Sequence, residues 1–170
     1  MNNIKTFENF PAWMIAVYDA VAYGIYLIGI YIMFKFGAIF GWLYVLFCLS
    51  AEIRIMRMSC VNCYYYGKWC GAGRSKLASL LFKRGDPAKF NEKEITWKDL
   101  IPDMLVSLIP FMMGIYLLFV DFHWIVLAGL ILLFLLTTLG NTFTHGNIVC
   151  KYCKQRDLGC PAEKLFSKAK

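Results

Sequence analysis

Four apolar stretches decide what this chain can fold into: residues 13–36, 37–53, 101–122 and 124–140. A helix needs about 20 apolar residues to cross the hydrocarbon of a bilayer, with a range of about 17–25. The first and third stretches fit comfortably. The second and fourth lie near the lower limit, which predicts helices that stand steeply or thin the bilayer locally. Inside lipid every backbone polar group must find an internal partner, so spanning segments of this kind are helices. Composition agrees, since 59% of the 170 residues are hydrophobic, well above the usage of a water-soluble domain. The first stretch reads as a span rather than a cleaved signal peptide. Residues 1–10 carry one Lys and one Glu, the apolar run is long, and no small-residue cleavage pattern follows it.

The net charge of +7 is unevenly placed. Residues 54–100 hold ten Lys/Arg against Asp86, Glu92, Glu94 and Asp99, and residues 141–170 hold six against Asp157 and Glu163. The opposite side offers only Lys35, Asp121 and His123. The positive-inside rule then puts both termini and the middle loop in the cytoplasm. Topology accounts for the charge, so a nucleic-acid surface is disfavoured. The expected partners are the lipid bilayer, its anionic headgroups, and a cytoplasmic protein.

A 90-residue period runs through the chain. Cys60, Cys63 and Cys70 recur as Cys150, Cys153 and Cys160. Gly24-Ile25-Tyr26-Leu27 recurs as Gly114-Ile115-Tyr116-Leu117, and Met14, Leu43 and Leu46 pair with Met104, Leu133 and Leu136. This reads as a tandem duplication: repeat 1 over residues 1–82, a polar linker over 83–100, and repeat 2 over 101–170. Each repeat is a helix hairpin followed by a cysteine cluster. The expected fold is an all-α integral membrane bundle of four transmembrane helices. Because each half crosses twice, the repeats are parallel, related by a pseudo-twofold axis along the membrane normal. Both clusters then lie on the cytoplasmic side. The hairpin tips, around residues 36–37 and 122–123, leave little protein on the far side. Pro102 and Pro110 are expected to set and bend the start of the third helix.

Each cluster reads Cys-x2-Cys-x6-Cys. In a reducing compartment such spacings point to metal ligation or thiol chemistry rather than to disulfides. Zinc in a closed site takes four thiolate or imidazole ligands, and each half supplies three thiolates. One solution shares ligands between halves. The order of the six cysteines resembles the binuclear zinc cluster of fungal transcription factors, in which six thiolates hold two zinc ions. That resemblance implies bridging roles for Cys60 and Cys150, with Cys63 and Cys70 completing one site and Cys153 and Cys160 the other. It covers the six cysteines alone. Seventy-nine residues with two crossings separate Cys70 from Cys150, whereas the family has a short loop there, so its DNA-reading role is not implied. The second solution gives each half its own iron–sulfur cluster, three thiolates leaving one iron to another ligand. Cys160-Pro161 is similar to the Cys-Pro that ends bacterial ferredoxin motifs. His145 is a candidate fourth ligand for either metal, although its repeat partner is Ile55. Two other readings compete. The thiols could simply pack as small hydrophobes, or they could form a dithiol relay like that of four-helix disulfide-forming membrane oxidoreductases. The relay works on the oxidising side, opposite to where the charges put these thiols.

Other residues invite attention. Asp19 is a carboxylate within the first span, a functional candidate by default or else a snorkelling or hydrogen-bonded group. Tyr64-Tyr65-Tyr66 reads plainly as interfacial belt, and alternatively as an aromatic cover on a metal site or a contact for a quinone ring. Cys48 lacks a repeat partner and reads as packing. Glu52, Arg54 and Arg57 read as interfacial anchors, and Ala16, Ala20 and Gly24 as a stripe for close helix packing. Gly71–Lys76 is basic and glycine-rich but lacks the order of a phosphate loop. No serine-nucleophile motif and no pair of intramembrane histidines for haem is present. Two function classes follow: a structural or interaction module fixed by zinc, and a redox protein whose iron–sulfur centre passes electrons to a membrane quinone.

Overall fold

The computed structural model describes residues 6–92 and 97–160. The described residues are helical and contain no strand, apart from one isolated bridge between Phe7 and Cys153. The long helices are α1 (Ala12–Phe36), α2 (Ala38–Met58), α5 (Trp97–Val120) and α6 (Trp124–Leu135), and the short ones are α3 (Arg74–Leu81), α4 (Pro87–Glu92), α7 (Asn141–Phe143) and α8 (Lys154–Asp157). Two π-helical stretches, Leu136–Gly140 and Thr144–Val149, flank α7 and continue the line of α6.

Four helical segments are long and apolar enough to cross a membrane: Ala12–Phe36, Ala38–Asn62, Asp99–Val120 and Trp124–Tyr152. The second and fourth run past the apolar stretches read from the sequence, to 25 and 29 residues. The added turns carry Arg54 and Arg57 in one and His145 and Lys151 in the other, so the apolar length itself stays near the lower limit for a crossing. Hydropathy stops at Glu52 and at Gly140, where polar side chains begin. The backbone keeps its helical hydrogen bonds beyond those points, because a helix needs no apolar side chains to satisfy them. In the fourth segment the Thr138 and Thr142 hydroxyls donate to the carbonyls of Phe134 and Thr138, both at 2.7 Å. Such back-bonding competes with the regular ladder and accompanies the π turns. Pro102 and Pro110 both lie inside α5, so Pro102 falls in its second turn rather than at its start.

Two compact units emerge, each drawn from both halves of the sequence. One comprises Ala20–Glu52 and Trp97–Thr142. Its core is apolar, with Ile25, Ile32, Met33, Tyr44, Val126, Leu130 and Leu133 buried together. Cys48 belongs to this core, as its packing reading requires. Two tyrosine hydroxyls here are paired internally. The Tyr44 hydroxyl donates to the Val106 carbonyl, and the Tyr26 hydroxyl donates to Glu52 Oε1, so Glu52 is a hydrogen-bond acceptor inside this unit. The chain reverses between α1 and α2 through Gly37 alone, whose N–H donates to Met33 O at 3.1 Å. The other unit comprises Met1–Asp19, Ile53–Thr96 and Phe143–Lys170. It holds all six clustered cysteines.

Candidate metal centre

The two Cys-x2-Cys segments fold alike. Each begins as a single 3-10 turn, Cys60–Asn62 and Cys150–Tyr152, and leaves it at an extended cysteine: Cys63 at φ −82°, ψ 153° and Cys153 at φ −79°, ψ 120°. The N–H of Cys63 donates to Cys60 O and that of Cys153 to Cys150 O, both at 3.3 Å. Tyr66 N–H to Cys63 O matches Arg156 N–H to Cys153 O, both 3.1 Å, and Lys68 N–H to Tyr65 O matches Leu158 N–H to Gln155 O. Every one of these pairs is displaced by 90 residues.

The two turns also hold each other. The Tyr64 N–H donates to Gln155 Oε1 at 2.8 Å, and the Lys154 N–H donates to the Tyr65 hydroxyl at 3.0 Å. Residues 64 and 154 correspond under the 90-residue offset, and so do 65 and 155. Each turn therefore offers a backbone donor to the same side-chain position of the other. Tyr65 and Gln155 are nearly fully buried, at 1% and 3% exposure, so these bonds are shielded from water. The Tyr65 hydroxyl itself donates a hydrogen bond to the Phe7 carbonyl. Phe7 N–H in turn donates to Tyr152 O at 3.1 Å, and Phe10 N–H to Trp69 O at 3.0 Å. Residues 7–10 are thus a strap bonded to both clusters. The ring of Phe10 packs 5.6 Å from that of Tyr65, and the ring of Phe7 lies 5.3 Å from that of Tyr152.

Four cysteines, Cys60, Cys63, Cys70 and Cys153, line one pocket of about 150 Å³. Tyr65, Gly71, Ser75, Phe90 and Val149 complete most of its wall. Gly71 is required there, because a Cβ at this position would stand 2.7 Å from Val149 Cγ1. Cys150 and Cys160 lie outside the lining but within electrostatic reach of Cys153. Burial pushes the Cys63 thiol up to about 12, with Cys153, Cys70 and Cys60 adding to the push. Burial likewise raises Cys153 to about 12, with Cys160 and Cys150 contributing. Burial also raises the Tyr65 phenol. None of the seven cysteines forms a disulfide. Among the described residues, no group of three Cys, His, Asp or Glu side chains stands as a ready-made ion site.

The rim of this site is charged and partly exposed. Lys154 Nζ donates to Glu8 Oε1 at 3.0 Å, which lowers the Glu8 carboxyl and raises the Lys154 amine. Lys68 Nζ donates to the Tyr64 hydroxyl at 3.2 Å, and this bond, helped by Lys154, lowers the Tyr64 phenol.

The remaining candidates are placed elsewhere. His145 does not line the pocket. Its ring sits 5.3 Å from that of Tyr18, edge to face, with Nε2 3.5 Å from the Tyr18 hydroxyl. Arg74 Nη1 donates to the same hydroxyl at 3.2 Å. Asp19 lies against Gly73, where a Cβ would meet Asp19 Oδ2 at 3.2 Å. Gly73 is the N-cap of α3 and has φ +66°. An anion there is favoured by the partial positive charge of a helix N-terminus, and the Asp19 carboxylate thus sits beside the loop that carries Cys70. The tyrosine run divides. Tyr65 is buried between the clusters and lines the pocket, which overturns the belt reading for that residue. Tyr66 donates to the Phe82 carbonyl at 2.7 Å. The sequence reading missed Gln155, the Phe7–Phe10 strap and Gly71. The 90-residue offset could have flagged Gln155, because it pairs with Tyr65. No protein-family model, no curated protein and no solved structure matches the chain.

Proposed function

We propose that this is an integral membrane metal–thiolate protein whose paired cysteine turns hold zinc at one membrane face. The observation that carries the reading is that four thiols drawn from both clusters line one pocket. Four is the ligand number of a closed zinc site, and thiolate is a preferred ligand. Cys60, Cys63, Cys70 and Cys153 are the proposed set. Cys153 also has Cys150 and Cys160 within electrostatic reach, so it is the natural bridge if a second ion binds. This differs from the family-like assignment, in which Cys60 and Cys150 bridge. Binding would deprotonate the thiols and draw them inward from the pocket wall, coupling metal to local folding. The matched hydrogen bonds at the 90-residue offset support tandem duplication, and the Tyr65–Gln155 exchange supports a pseudo-twofold relation between the clusters. The Lys/Arg asymmetry supports a cytoplasmic location for that face. The ion's role is structural: it ties the strap, both turns and α3 into a fixed surface for a partner.

The test is metal and acid-labile sulfide analysis of full-length protein purified anaerobically. One zinc per chain is expected for the four-thiolate set, since a bridging Cys153 with Cys150 and Cys160 offers a second ion only three thiolates. Cys153→Ser should remove essentially all of it, whereas Cys48→Ser should remove none. Protein purified with its thiols reduced and no bound metal overturns the proposal. Iron with stoichiometric sulfide replaces zinc by the redox reading.

A further inference from the structure

We propose that α3 is an interfacial helix whose leucine face rests in the membrane–water boundary against anionic lipid. Its two faces differ sharply. Ser75 and Ala78 are buried, and Ala78 packs with Met56 and Cys60. Leu77, Leu80 and Leu81 point the other way and are 49%, 79% and 58% exposed. Spacing of i, i+3, i+4 puts these leucines on one helical face. Three adjacent exposed leucines on so short a helix are costly in water. The helix also follows the end of a spanning segment at Asn62, which keeps it close to a bilayer surface.

The charges around this face fit a lipid surface. Residues 68–84 contain five Lys/Arg and no Asp or Glu. Lys83 and Arg84 are exposed just beyond the C-terminal end of α3. Lys76 Nζ stands 4.2 Å over the ring of Trp69, itself 46% exposed. An exposed tryptophan beside lysines and leucines has the composition of the headgroup level. An amphipathic helix with leucines on one side and cations around it lies in the interface plane, drawn by apolar burial and by anionic headgroups. An acidic protein partner would use the cations but has no stated use for the leucines.

The test uses full-length protein in lipid nanodiscs. Leu80→Trp is placed in a Trp69→Phe background, and its emission is taken as the difference from Trp69→Phe alone. With lipids brominated near the headgroup end of their chains, that emission should fall to roughly half, as for a helix at the acyl boundary. Adding phosphatidylglycerol to phosphatidylcholine should deepen the quenching, and Lys83→Gln/Arg84→Gln should abolish the increment. Quenching by aqueous iodide, with none from brominated lipid, overturns the proposal and leaves the face to a protein partner or a second copy. An increment that survives the double substitution overturns the electrostatic half. Neither readout requires a metal, so the result stands apart from that of the zinc proposal.

Discussion

The Tyr65 hydroxyl joins three segments of the cysteine-bearing unit. It accepts from the Lys154 N–H and donates to the Phe7 carbonyl, and so links both turns and the N-terminal strap. Tyr65→Phe keeps the ring packed against Phe10 and removes both bonds. A buried donor or acceptor left unpaired costs about 1–3 kcal/mol, so this substitution should lower the melting temperature of the detergent-solubilised protein measurably. Tyr66→Phe is the control, because its hydroxyl has one partner, Phe82 O, in a half-buried position. Equal effects of the two substitutions would refute a special role for Tyr65. Three consecutive tyrosines could not be told apart by residue type. Their roles diverge because Tyr65 is buried against Lys154 and Phe7 while the Tyr64 ring meets Lys154 at the rim, a difference set by segments far apart in the chain that no local pattern encodes.

Among the elements, α3 and its N-cap tie the first span to the cysteine loop. Gly73 adopts φ +66° with Asp19 beside it, whereas Gly67 adopts φ +77° in open space, where an added Cβ would meet nothing closer than Ser79, at 4.0 Å. A non-glycine residue in the left-handed region costs about 1–2 kcal/mol. Gly67→Ala should therefore show only this backbone cost. Gly73→Ala should cost more, because the methyl also crowds the carboxylate that sits at the helix N-terminus. Chemical denaturation of the two variants gives the comparison. A smaller loss for Gly73→Ala would show that Asp19 does not hold this contact. The length of the second and fourth spans also belongs to this scale. Side-chain hydropathy ends at Glu52 and Gly140, but the helices run on to Asn62 and Tyr152, because their continuity is a backbone property.

For the whole molecule, the proposed topology of four crossings puts both termini and both cysteine clusters on one side, and the Lys/Arg bias argues that this side is cytoplasmic. In intact cells, a membrane-impermeant thiol reagent should leave the six clustered cysteines unmodified until lysis. A cysteine introduced at Asp121, in the exposed connection between α5 and α6, should react at once. Labelling of the clusters from outside would reverse the orientation and return the dithiol-relay reading to consideration.

The sequence by itself determined the helical class, the number of helices long and apolar enough to cross a membrane, the short reversals near Gly37 and Phe122, and the spacing of the six cysteines. These follow from quantities each residue carries locally: transfer free energy, backbone freedom and position along the chain. Only the tertiary structure decided which thiols share a pocket. Cys153 joins Cys60, Cys63 and Cys70 in the lining while Cys150 and Cys160 stay outside it, although the two sets of three have the same spacing at an offset of 90 residues. The same holds for His145, which turns to Tyr18, and for Asp19, which meets Gly73. The reason is physical. Which polar groups meet depends on hydrogen bonds and packing between segments far apart in the chain, such as Tyr64 with Gln155 and Gly71 with Val149, and their geometry exists only once the helices have assembled.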